Sequence, residues 1–163
     1  MAKILVAFFS PNPDSHHTTR KVAEFIKEIT GADSYEIKPA VPYTEEDLDW
    51  EDKTKSSSVE MADSNSRPEL ADKNSTFDDY GVVYLGFPIW WYVAPHIINT
   101  FLETYDFSGK TIVTFATSDG SSWGDTLKKL KSSSPNAKFI EGKVFRGSIN
   151  KETVTNWIKT INF

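Results

Sequence analysis

The sequence predicts an α/β fold built on a parallel sheet, and two observations carry that prediction. Ile4-Leu5-Val6-Ala7-Phe8-Phe9, Val82-Val83-Tyr84-Leu85 and Ile112-Val113-Thr114-Phe115-Ala116 are apolar on both faces, as strands covered by helices on each side must be. Between these runs apolar residues recur at helical spacing, at Val22, Phe25, Ile26 and Ile29, then at Ile97, Ile98, Phe101, Leu102 and Tyr105. Strands and helices in alternation imply right-handed crossovers, which bring the carboxyl ends of all the strands to one edge.

Each further element has its own local reason. Gly31 follows the first helical stripe and reads as its C-cap, and Ser34-Tyr35-Glu36-Ile37 is a short strand that ends before Pro39. Residues 42–74 are rich in Asp, Glu, Ser and Lys with few apolar anchors, and read as a solvated crossover. Within it, Thr44 and Asp47 suit a helix start that turns Leu48 inward, with Trp50 beside it. Trp123, Leu127 and Leu130 mark the helix after the third long strand, and Lys138-Phe139-Ile140 a last strand. Val154, Trp157, Ile158 and Ile161 mark a terminal helix, with Trp157 in the core. At 163 residues the chain reads as one domain, 1–163, built on five strands.

Composition excludes several chemistries. Without cysteine there is no disulfide, thiolate nucleophile, iron–sulfur cluster or Cys-ligated zinc, so redox chemistry requires a bound cofactor. The net charge of -5 disfavours nucleic acid and anionic membrane, and favours partners with basic docking surfaces. The apolar run Ile4 to Phe9 is too short for a secretory signal or a membrane span, so a cytoplasmic location is expected. No Ser-His-Asp order, Walker motif or zinc-protease signature occurs, nor a dinucleotide Gly-x-Gly-x-x-Gly after the first strand.

Three loops therefore share an edge. After the first strand comes Ser10-Pro11-Asn12-Pro13-Asp14-Ser15-His16-His17-Thr18-Thr19, leading into a helix. Hydroxyls and backbone N–H groups at such a terminus hold phosphate without cationic side chains, although an ordinary Ser/Thr cap has the same composition. Leu85-Gly86-Phe87-Pro88 then runs into Ile89-Trp90-Trp91-Tyr92, and because Pro88 cannot donate in a central ladder, the strand is expected to end near Phe87. The exposed rings suit a stacking platform for a flat ligand, and equally a core or subunit interface. The third loop, Thr117-Ser118-Asp119-Gly120-Ser121-Ser122-Trp123-Gly124, has the small residues that allow a ligand close to the backbone.

The order of Ile4–Ser10, Thr19-Arg20-Lys21-Val22-Ala23-Glu24, Leu85-Gly86-Phe87-Pro88-Ile89-Trp90-Trp91 and Tyr105-Asp106-Phe107-Ser108-Gly109-Lys110-Thr111-Ile112 resembles the flavodoxins, in particular short flavodoxin-like proteins with a Pro-Ile-Trp-Trp loop. The resemblance spans nearly the whole chain. It implies a three-layer α/β/α sandwich with five parallel strands in the order 2-1-3-4-5, and FMN held noncovalently at the shared edge. It also implies that Ser10, Thr18 and Thr19, with His17 beside them, hold the FMN phosphate. Pro88, Ile89, Trp90, Trp91 and Tyr92 would line the flavin, and Thr117, Ser118, Asp119 and Gly120 would close its other side. Two departures stand out. His17-Thr18-Thr19 replaces the usual Gly-Asn-Thr core, and Tyr92 and Asp119 stand where the family usually has Gly.

The function so implied is electron transfer by a flavin that cycles between oxidation states, with redox proteins as partners. A nicotinamide-dependent quinone or nitroaromatic reductase of the same fold is the enzymatic alternative, and a flavin-free binding module the non-redox one. No catalytic residue is assigned. Adjacent His16 and His17 do not converge readily on one metal ion, and His96, after Pro95, reads as a surface or capping residue. Trp123 could pack beneath the third loop or touch the cofactor, with packing the preferred reading.

Overall fold

The computed structural model describes residues 3–9, 18–38, 70–71, 76–89, 96–117, 123, 126–145 and 149–161. Its strands are β1 (Lys3–Phe8), β2 (Asp33–Glu36), β3 (Tyr80–Pro88), β4 (Thr111–Thr117), β5 (Lys138–Ile140) and β6 (Val144–Phe145). Its helices are α1 (Thr18–Thr30), α2 (His96–Thr104), α3 (Thr126–Ser133) and α4 (Lys151–Thr160). The sheet runs in the order β2-β1-β3-β4-β5, every pairing parallel, as the resemblance implies. None of these helices is long and apolar enough to cross a membrane. The helix proposed near Thr44, with Leu48 and Trp50, lies outside the described residues.

Alternation along the strands builds two cores. Val6, Phe8, Tyr84, Val113 and Phe115 face Val22, Ile26, Val154 and Trp157 of α1 and α4. Leu5, Ala7, Val83, Leu85 and Ile112 face Ile97, Ile98, Phe101, Leu102 and Leu130 of α2 and α3. Strands buried on both faces are the reason for the continuous apolar runs. Gly31 adopts φ +73° and donates its N–H to Lys27 O at 2.9 Å, the helix-ending geometry expected of it. At the α2 end, Phe77 is ringed by Tyr35, Phe101, Tyr105 and Phe107, with its centroid 4.9 Å from that of Tyr105.

Three local details depart from the expectations. The strand does not stop at Phe87 but runs through Pro88, which pairs with Thr117. Ile89 N–H donates to Thr117 O at 3.0 Å, so the N–H that proline lacks would have pointed the other way, toward β1. There β1 has already ended, its last contact among the described residues being Phe9 N–H to Gly86 O at 2.9 Å. The missing donor therefore breaks no ladder.

The fifth strand is split. Between the pairs Val113–Ile140 and Ala116–Val144 the partner chain advances one residue more than β4, a bulge centred on Glu141-Gly142-Lys143. Thr114 Oγ1 spans it, donating to Ile140 O at 3.1 Å and accepting from Gly142 N–H at 3.4 Å. A Cβ on Gly142 would lie 1.8 Å from Thr114 O, so only glycine fits. Lastly, Trp123 precedes α3 rather than lying within it, and its carbonyl accepts from the N–H and hydroxyl of Thr126 as the helix begins.

Candidate cofactor site

The carboxyl ends of β1, β3 and β4 meet where the sheet order reverses between β1 and β3, the position at which open α/β sheets form a ligand crevice. The 13-residue helix α1 begins there at Thr18, so its first N–H groups, which lack partners within the helix, and its positive dipole end face the same edge. Arg20 anchors this end of the helix, since its guanidinium bonds Glu36 at 2.7 Å and lies 5.4 Å from the Phe8 ring centroid. Its charge is thus matched within the scaffold.

Thr19 and Thr117 form the best-defined feature of the edge. Their hydroxyl oxygens are 2.8 Å apart, and the two residues are only 3% and 7% exposed. Two hydroxyls that share one hydrogen bond retain a second O–H, and among the described residues neither side chain makes another hydrogen bond. A buried donor without an acceptor is unfavourable by about 1–3 kcal/mol. A phosphate or polyol oxygen at this edge would satisfy it. The donor set, a neutral hydroxyl pair beside a helix N-terminus, fits the phosphate-bearing end of a nucleotide.

The other expected site residues are placed as follows. Pro88 ends β3 and Ile89 follows it, buried among the apolar residues beneath α2. Ser10, His17, Trp90, Trp91, Tyr92, Ser118, Asp119 and Gly120, and the side chain of Thr18, lie outside the described residues. Trp123 packs edge-on against Phe87 with ring centroids 6.3 Å apart, the packing role expected of it. His96 overturns its surface reading, being 4% exposed at the first position of α2. The contact between Thr19 and Thr117, separated by 98 positions, has no signal in sequence spacing.

Comparison with known proteins gives the family. The family model described as flavodoxin matches residues 3–161. The chain belongs to the flavodoxin family. This flavodoxin-family protein is 46% identical to a provisionally assigned flavoprotein from Bacteroides uniformis, with 98% of this chain and 99% of that one covered and a TM-score of 0.89. A second provisionally assigned flavoprotein, from Bacteroides eggerthii, is 41% identical over 99% and 98% of the two chains, with a TM-score of 0.85. A flavoprotein from Lactobacillus acidophilus, solved in complex with FMN, shares the fold at 23% identity, a TM-score of 0.67 and coverage of 97% and 99%. No curated protein matches the chain significantly.

Proposed function

We propose that this flavodoxin-family protein binds FMN noncovalently at the edge formed by α1, β3 and β4 and acts in the cytoplasm as an electron carrier. The observation that carries the reading is the buried Thr19–Thr117 hydroxyl pair beside the start of α1, whose second O–H has no acceptor among the described residues. Membership of a flavodoxin family and a structural neighbour holding FMN support the choice of cofactor. When bound, the flavin supplies reversible one- and two-electron chemistry, and the protein contributes binding, orientation and electrostatics.

Ser10, His17, Thr18 and Thr19 hold the phosphate end in this reading. Pro88, Ile89, Trp90, Trp91 and Tyr92 line one side of the ring system, and Thr117, Ser118, Asp119 and Gly120 the other. A carboxylate at Asp119 opposes the negative charge that reduction places on the flavin, and so lowers its potential. The electron partners present basic surfaces to a chain of net charge -5, in which residues 39–69 alone carry nine acids against three bases.

FMN titration tests the proposal. The protein is expected to bind FMN more tightly than riboflavin, and the preference to fall at least tenfold in Thr18→Ala/Thr19→Ala. Trp90→Ala or Trp91→Ala is expected to weaken binding and brighten the bound flavin. No FMN binding by the parent protein would overturn the reading. Stoichiometric oxidation of NAD(P)H by the protein with a quinone would replace the carrier role with that of a reductase.

A further inference from the structure

Thr117 ties together the end of β4, the start of α1 and the residue that follows β3. Its hydroxyl meets Thr19 Oγ1 at 2.8 Å, joining the end of β4 to the start of α1. Its carbonyl accepts the Ile89 N–H at 3.0 Å, joining it to the loop that follows β3. It also pairs in register with Pro88 on one side and Phe145 on the other, so its backbone is held within the sheet. A hydroxyl on so fixed a residue is a rigid reference point. The start of α1, by contrast, is linked covalently to β1 only through residues 10–17, and beside the Arg20–Glu36 pair and the apolar packing of Val22, the Thr19–Thr117 bond is the side-chain hydrogen bond that ties it to β4 among the described residues.

We infer that Thr19 and Thr117 act as one coupled unit rather than as two independent cofactor ligands, their hydroxyl bond setting the start of α1 relative to the ends of β3 and β4. The inference rests on the FMN reading above and deepens it. FMN spans both regions, its phosphate at α1 and its ring beside the loops, so it binds well only when their spacing is held. The pair supplies that spacing, and the second O–H donates to the ligand from whichever residue accepts the internal bond. Loss of either hydroxyl breaks the same contact. The two losses are therefore not independent.

A double-mutant cycle tests this, with Thr19→Val, Thr117→Val, the double variant and Thr117→Ser. Dissociation constants for FMN and riboflavin are measured by flavin fluorescence, and melting of the flavin-free proteins by circular dichroism. Each single variant is expected to weaken FMN about tenfold, and the double variant no more than the weaker single one. Riboflavin, which lacks the phosphate, is expected to lose much less in every variant. Thr117→Ser, which keeps the hydroxyl, is expected to restore FMN affinity to within about threefold of the parent while Thr117→Val does not. Effects that multiply in the double variant would show two independent ligands and overturn the inference, as would unchanged FMN affinity in Thr117→Val. An equal failure of Thr117→Ser and Thr117→Val would overturn it too. If the parent protein binds no FMN the functional reading falls first and this inference with it, whereas parental binding with additive variants removes the inference alone.

Discussion

Gly86 leaves the space that the Phe115 ring fills. The two residues are register partners on β3 and β4, and a Cβ built on Gly86 would lie 2.0 Å from Phe115 Cζ. The ring lies across the neighbouring strand because that strand has no side chain there, and it continues on to Trp157 at 6.3 Å.

Gly86→Ala is therefore expected to destabilise the protein by about 1–3 kcal/mol or more, because the ring must leave its place in a close-packed core. Shortening the obstructing side chain is the control. Phe115→Leu in the Gly86→Ala background is expected to be less harmful than the sum of the two single changes, as read from urea midpoints. Strict additivity would show that the two positions do not compete for the same space.

The Thr19–Thr117 bond makes an energetic prediction apart from any cofactor. Removing one hydroxyl strands the other in a buried site, which is unfavourable by about 1–3 kcal/mol, whereas removing both leaves two well-matched apolar groups. Thr19→Val and Thr117→Val should each lower the stability of the flavin-free protein. The double variant should lie closer to the parent than either does. Chemical denaturation of the four proteins measures the coupling directly.

Tyr84 lies in the middle of β3, 1% exposed and edge-on to Trp157 at 6.1 Å, and its hydroxyl has no hydrogen-bond partner among the described residues. Burying an unpaired hydroxyl opposes folding by about 1–3 kcal/mol. Tyr84→Phe, which removes only that oxygen, is thus expected to leave stability unchanged or to raise it by about 1 kcal/mol. A loss of comparable size in thermal or urea unfolding would reveal a partner for the hydroxyl.

Alkaline pH tests the same residue from the other side. Burial pushes the Tyr84 phenol above its ordinary value of 10.0, and the hydrogen bond from Tyr80 to Asp33, at 2.7 Å, followed by burial, does so for Tyr80. A raised folded value means that the fold accepts the neutral phenol better than the phenolate, so this penalty is absent below pH 10 and grows as pH rises through the folded values. Stability is expected to fall above pH 10 as phenolate absorbance appears. Tyr84→Phe and Asp33→Ala should each make that fall shallower, and an unchanged slope in Tyr84→Phe would mean that its phenol ionises freely in the folded protein.

Local pattern determined much of this protein. The two-faced apolar runs 4–9, 82–85 and 112–116 identified the central strands, the stripe Val22-Phe25-Ile26-Ile29 identified α1, and Gly31 identified its end. These properties are legible because periodicity and capping act within a few residues of one another. Only the tertiary structure decided the rest. Pro88 remains in its strand because β1 has already ended beside it, a fact about another segment. Strand β6 escaped notice because one extra residue at the Gly142 bulge interrupts the run, and two paired residues are too few for a periodic signal. His96 is buried at the first position of α2, which its neighbour Pro95 does not encode. The meeting of Thr19 with Thr117 depends on the register of β4 against β3 and on the seating of α1, both set by packing across the sheet. Strand by strand, the sequence states which residues favour which backbone, but the contacts that build the site arise between segments far apart in the chain, where only the folded geometry fixes distance.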